Sequence, residues 1–204
     1  MNILISEVVD GLVEHGWVVL PDVLSVAQCR ELREQAQANR AAGAFHAAGI
    51  GRGHGLQVNE AIRGDEVLWL ESAETGALAD YQGFMESLRV NLNQALYLGL
   101  AEFEAHLAMY PPGACYQQHL DNFRGTSARI ISAVLYLNEA WAEADGGQLR
   151  LYTRGDALGE YVDVFPHAGQ LALFRSEVFW HEVLPATRER FSLTGWLRRR
   201  GDVV

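Results

Sequence analysis

RIISAVLYLN (129–138) is the stretch that decides the fold. β-Branched, aliphatic and aromatic residues fill it, with neither proline nor glycine, which is the composition of a strand. Downstream, GQLRLY (147–152), EYVDVF (160–165), QLALFR (170–175), VFWHEVLP (178–185) and RFSLTGWLR (190–198) have the same character. Turn sequences such as ADGG, RGD and PHAG separate them. Many short strands at this spacing predict a sandwich or barrel.

Upstream the periodicity changes. Ile5, Val8, Val9, Leu12 and Val13 share one helical face. Ser25 and Gln28 form a capping box before VAQCRELREQAQAN. Leu78, Tyr81, Met85, Leu88, Leu92 and Leu96 recur every three or four residues, predicting a long helix over about 78–98. Between these helices lies AFHAAGIGRGHGLQVNEAIRGDEVLWLE (44–71), with five glycines and a β-like end. Such a connection is a functional loop or a poorly ordered one. GIGRGHG lacks both a strand-to-helix context and any lysine, so it reads as a lid hinge, not a phosphate loop. Helices first and strands after predict a mainly β fold, a jelly roll with N-terminal helices packed on one sheet. The length suits one domain over 1–204, with helical support and a loop in 1–100 and the core in 101–200.

Composition excludes several chemistries. All sixteen basic residues are arginine, against twenty-six acids, for a net charge of −10. Without lysine there is no P-loop lysine, no Schiff base and no lysine general base. An anion held by charge is held by arginine. The negative balance argues against nucleic-acid or anionic-membrane binding. Cys29 and Cys115 make no disulfide framework. The N-terminal sequence has no basic n-region and no apolar run reaches the length of a membrane span, so a cytoplasmic protein is expected.

His119 is followed two residues on by Asp121. On a strand, residues i and i+2 face the same way, so one strand could offer an imidazole and a carboxylate to one ion. His181, inside the apolar run VFWHEVLP, would be costly there without a partner and is the best third ligand. Two histidines and a carboxylate form the facial triad of non-haem iron(II) oxygenases. His119 pairing with Asp121, and His181 as a satisfied core residue, stands level with this reading on the triad alone. Arg190 tips the balance. It follows His181 by nine residues, on the next strand across PATRE, and adjacent antiparallel strands would carry its guanidinium to the pocket. The far carboxylate of 2-oxoglutarate needs a buried bidentate partner of this kind.

The sequence resembles the 2-oxoglutarate- and iron(II)-dependent prolyl 4-hydroxylases, in the branch of the hypoxia-inducible-factor prolyl hydroxylases and their bacterial relatives. The resemblance runs from about residue 10 to 198. IRGDEVLWLE (62–71), MYPPGACYQQHLDN (109–122), RIISAVLYLNEAWAEADGGQLRLY (129–152) and HEVLPATRERFSLTGW (181–196) carry it. It implies a double-stranded β-helix core, with Fe(II), 2-oxoglutarate and O2 as cofactors and ascorbate as a candidate reductant. His119, Asp121 and His181 match the iron ligands. Arg190 and Tyr136 match groups that meet the C5 carboxylate of 2-oxoglutarate, Tyr110 one near its chelating end, and Thr194 a pocket threonine. Val134 and Leu149 are expected to keep water out. Asp65 is expected to face Arg129, and Arg63, Tyr116 and Trp196 to meet substrate.

The implied activity is hydroxylation of a proline in an exposed loop of a protein, with succinate and CO2 as co-products, by a monomeric enzyme. Bacterial relatives point to elongation factor Tu as the substrate. A small molecule such as a free amino acid is the alternative. Nucleic-acid demethylation is disfavoured, because Trp196 stands where those enzymes carry a second arginine. The loop is more glycine-rich than in the animal enzymes. There is also one extra residue between Asp121 and Arg129 and one fewer between Tyr110 and Tyr116. These departures bear on the substrate.

Overall fold

In the computed structural model, residues 2–49, 57–59, 61–122, 128–154 and 156–200 are described. Most of the glycine-rich hinge sequence and the residues just after Asn122 lie outside them. The helices are α1 (Asn2–Glu14), α2 (Val26–Ala41) and α3 (Gly76–Leu96). Ser25 caps α2: its hydroxyl accepts from the Gln28 amide while Gln28 reaches back to the Ser25 amide.

The strands are β1 (Trp17–Leu20), β2 (His46–Ala47), β3 (Glu66–Trp69), β4 (Leu100–Tyr110), β5 (Tyr116–His119), β6 (Arg129–Tyr136), β7 (Leu149–Tyr152), β8 (Tyr161–Val164), β9 (Leu171–Arg175), β10 (His181–Val183) and β11 (Arg190–Arg199). They form two antiparallel sheets, a large one in the order β1-β9-β6-β11-β4-β3-β2 and a small one in the order β5-β10-β7-β8. This is the expected jelly roll. β3 falls in the β-like end of the 44–71 connection, as expected, while β1 and β2 make the first half less purely helical than expected.

Alternation along the central strands separates two cores. On β6, Ile131, Ala133 and Leu135 join the helices, while Val134 and Tyr136 face the small sheet. On β4, Leu107 and Met109 face the helices, and Ala108 and Tyr110 face inward. On β11, Phe191, Leu193 and Leu197 pack outward, which turns Arg190, Ser192, Thr194 and Trp196 toward the space between the sheets. Leu12, Cys29, Leu32, Tyr81, Met85 and Leu88 supply the helical side of the outer core. The helices therefore cover one face of the large sheet and leave the other to line a cavity. Gly195 permits this crowding, because a Cβ there would lie 2.6 Å from the Glu104 carbonyl and 2.7 Å from the Phe103 ring.

Candidate active site

A cavity of about 470 Å³ opens between the sheets. His119 ends β5 and His181 begins β10, and the antiparallel register sets them opposite each other. Their ring centres are 4.2 Å apart. Asp121 lies past the end of β5, so strand alternation does not aim it as expected. Its neighbour Asn122 anchors it instead, donating its amide to the Ser176 carbonyl at 3.1 Å and its side-chain nitrogen to the Arg129 carbonyl at 2.8 Å. Asp121 Oδ1 then lies 3.7 Å from His119 Nε2, and Oδ2 lies 3.5 Å from His181 Nε2. One ligand atom from each residue falls within 4.8 Å of the others.

The histidine tautomers follow from their partners. Nδ1 of His119 meets the Gln117 carbonyl at 2.8 Å, and Nδ1 of His181 meets the Phe179 carbonyl at 3.0 Å. A carbonyl only accepts, so each Nδ1 carries a proton and each Nε2 is the nitrogen left for the cavity. Burial, reinforced by His181, pushes the His119 pKa down to about 3. Burial alone would raise the Asp121 pKa. The two histidines and the Ser132 hydroxyl at 2.6 Å outweigh it and hold the carboxyl well below its ordinary range. Two imidazoles and an ionised carboxylate are the donor set of a divalent metal. Tyr116 stacks on His119, with ring centres 3.6 Å apart, and the Phe174 ring meets His181 edge-on at 4.7 Å.

Arg190 is 1% exposed. Its Nε donates to the Gly147 carbonyl at 2.8 Å and its Nη1 to Ser192 Oγ at 3.4 Å. Nη2 has no partner among the described residues, nor has the buried Tyr136 hydroxyl. The Tyr136 and Tyr110 rings lie 5.2 and 5.1 Å from the guanidinium. Burial pushes the Tyr136 pKa up to about 12 and holds that of Tyr110 well above its ordinary value, so both remain neutral donors. Arg190 and His181 were expected on adjacent strands. They lie in opposite sheets and meet across the cavity. Gly147, at φ +71°, carries the turn under Arg190, and a Cβ there would stand 3.2 Å from Arg190 Cδ.

Thr194, Val134, Leu149, Arg63, Asp65, Tyr116, Arg129 and Trp196 also line the cavity, while Tyr136 sits behind Arg190. The expected facing of Asp65 and Arg129 is not the arrangement found. Asp65, 2% exposed, accepts two hydrogen bonds from Arg63 at 2.7 and 3.0 Å. Burial opposes the charge of Arg63, but Asp65 outweighs it and raises the Arg63 pKa. Arg129 donates to Glu104 at 3.0 Å and lies 3.4 Å from the centre of the Trp196 ring. The reason is local. Arg63 and Asp65 are two apart in an extended segment beside β3, so the bidentate pair closes within it. Ser132, Ser192 and His106 were missed, although each follows by steps of two from a residue already read as inward-facing: Val134, Arg190 and Tyr110.

A sequence profile of the 2OG-Fe(II) oxygenase superfamily matches residues 105–198. A Pseudomonas putida prolyl-4-hydroxylase of known structure is 45% identical, with a TM-score of 0.86, over 97% of this chain and all of that one. The chain belongs to the 2OG-Fe(II) oxygenases, among the prolyl hydroxylases. A prolyl hydroxylase in complex with a hypoxia-inducible-factor oxygen-degradation-domain peptide fragment from Trichoplax adhaerens is 28% identical, with a TM-score of 0.84, over 97% of this chain and 90% of that one. Egl nine homolog 1 of Homo sapiens is 29% identical over 96% of this chain. The chain spans 47% of that protein's length. The family implies Fe(II), 2-oxoglutarate and O2, and the cavity fits them: a three-ligand facet with open positions, and a buried guanidinium and phenol lacking an acceptor. Among the described residues no helix is long and apolar enough to cross a membrane.

Proposed function

We propose that the chain hydroxylates a prolyl residue of a protein substrate, with 2-oxoglutarate consumed and succinate and CO2 released. One observation carries the cosubstrate part. Arg190 and Tyr136 are buried donors with unused valence, and Arg190 faces the three metal-type ligands across one cavity. A charge buried this deeply needs an acceptor, and a dianion of 2-oxoglutarate's length supplies one. The prolyl part is supported by the likeness to the Pseudomonas putida enzyme along its whole length.

His119, Asp121 and His181 would hold the iron. Arg190 would take the far carboxylate of 2-oxoglutarate, with Tyr136 adding a hydroxyl, while Thr194 and Tyr110 flank the bound molecule. When bound, the iron, 2-oxoglutarate and O2 together supply the oxidising chemistry that places an oxygen atom on a prolyl carbon, and ascorbate would keep the metal reduced. The protein orients, desolvates and neutralises. Val134 and Leu149, 7% and 2% exposed, keep that wall apolar and strengthen the Arg190 contact. Tyr116 fixes the plane of His119. On the substrate side, Arg63, Asp65, Tyr116, Arg129 and Trp196 form the rim. The Arg63–Asp65 pair would shape the loop, and Arg129 over Trp196 would offer a flat cationic surface to a peptide.

The substrate we favour is elongation factor Tu, presented through an exposed proline-bearing loop. The protein would act as a single-domain monomer, helical and loop support to about residue 100 and jelly roll beyond, in a reducing cytoplasm where Cys29 and Cys115 stay free. We infer no nucleic-acid partner, given the net charge of −10 and Trp196. The test is a bacterial extract incubated with enzyme, Fe(II) and 2-oxoglutarate and analysed by mass spectrometry. One prolyl peptide of elongation factor Tu gaining a single oxygen atom is expected. Oxidation of free proline with every protein unchanged would establish the small-molecule reading instead.

A further inference from the structure

Asp121 carries an attachment that no cofactor role explains. Ser132 Oγ lies 2.6 Å from Asp121 Oδ2, and Ser176 Oγ lies 2.8 Å from Ser132 Oγ. Both serines are wholly buried. Proton supply fixes the direction of this chain. An ionised carboxylate only accepts, so Ser132 donates to it. A hydroxyl has one proton, so the second contact must run from Ser176 to Ser132. Each link polarises the next, and the short contact to the carboxylate is of the charge-assisted kind.

The relay is tied to the frame at both ends. Ser132 lies on β6 between Ile131 and Ala133, which pack against the helices, and it is paired across the sheet with Phe174 and Trp196. Ser176 follows β9. Its amide donates to the Ile130 carbonyl, and its carbonyl accepts the Asn122 amide. The turn that starts the relay is thus the one that anchors the segment bearing Asp121. This matters because Asp121 stands beyond the end of β5, where the ladder no longer fixes it.

We propose that Ser132 and Ser176 are positioning residues for the metal ligand. They anchor Oδ2 of Asp121 and leave Oδ1, the oxygen nearer His119, to be offered to the ion. The proposal rests on the iron reading of the triad. Two buried hydroxyls satisfying one another would be an ordinary structural feature, and its removal would be felt in folding but not in metal affinity.

The test uses the whole chain and Mn(II), a redox-stable divalent ion suited to the carboxylate whose positioning is in question. Binding is followed by the paramagnetic resonance of free Mn(II), with circular dichroism and melting of the metal-free proteins as controls. Ser132→Ala should weaken Mn(II) binding about ten- to a hundredfold, the usual effect of losing an outer partner of a ligand. Ser132→Thr, which keeps the hydroxyl and suits a strand, should restore binding to within about threefold. Ser176→Ala should weaken binding several-fold, and it stands in for Ser132→Ala if that variant does not fold. Folded Ser132→Ala binding Mn(II) like the parent would overturn the relay alone. Parent protein that takes up no Mn(II), or whose uptake survives Asp121→Ala, would overturn the metal reading and the relay with it.

Discussion

A guanidinium at 1% exposure with no carboxylate paired to it among the described residues is an expensive arrangement. Arg190 tolerates it through the Gly147 carbonyl and Ser192, which leaves one end of the fork available. Arg190→Ala is therefore expected to weaken 2-oxoglutarate binding by about two orders of magnitude, the effect of losing a buried charge-assisted pair. Metal affinity should be unchanged, and calorimetric titration of each ligand in turn separates the two. Equal loss of both would make Arg190 a structural residue. His106 offers a second prediction. It is buried between Trp69 and Trp196, and burial pushes its pKa from 6.5 down to about 4. Below pH 6.5 the unfolded chain takes up a proton that the folded one refuses. Stability should fall as pH drops from 6.5 toward 4, by up to about 1.4 kcal/mol per pH unit, and then level off. Replacing His106 with Phe should flatten that part of the profile in denaturant unfolding. Parallel curves for the two proteins would show that His106 titrates normally.

Elements place these residues by alternation and pairing. β4, β6 and β11 each turn one row toward the helices and the other toward the cavity, and β5 paired with β10 brings the two histidines together. Much of this was legible. The six downstream strands were readable from composition, α1 and α3 from periodicity, and α2 from its helix formers and its Ser25–Gln28 cap. Two things were not. The eleven-residue β4, LAEFEAHLAMY, mixes acids with alanine and so hides its strand character. Sheet membership was equally hidden, because proximity of β10 and β11 in sequence suggested pairing where the jelly roll sends them to opposite sheets. Local pattern reports which face a side chain takes, not which strand lies opposite. The turn under Arg190 gives the prediction at this scale. Gly147→Ala puts a side chain into positive φ and against Arg190 Cδ. It should raise the 2-oxoglutarate Michaelis constant about tenfold or more while Mn(II) binding is preserved. An unchanged constant would mean that the turn gives way.

At the scale of the molecule, helices cap one side of the large sheet and the small sheet closes the other, and polar side chains from both sheets converge on the 470 Å³ cavity. The absence of lysine makes that convergence easier to read. Arg63 is committed to Asp65 and Arg129 to Glu104 and Trp196, while Arg190 lines the cavity with no carboxylate partner among the described residues and a buried donor unused. The substrate side was the least legible part: Asp65, expected to face Arg129, pairs instead with Arg63. The central claim is that one cavity holds iron on His119, Asp121 and His181 and 2-oxoglutarate on Arg190. Anaerobic addition of Fe(II) and 2-oxoglutarate tests it most directly. A visible charge-transfer band should appear at equimolar metal, vanish in Asp121→Ala, and demand far more 2-oxoglutarate in Arg190→Ala. Folded parent protein that shows no band at saturating Fe(II) and 2-oxoglutarate would contradict the account.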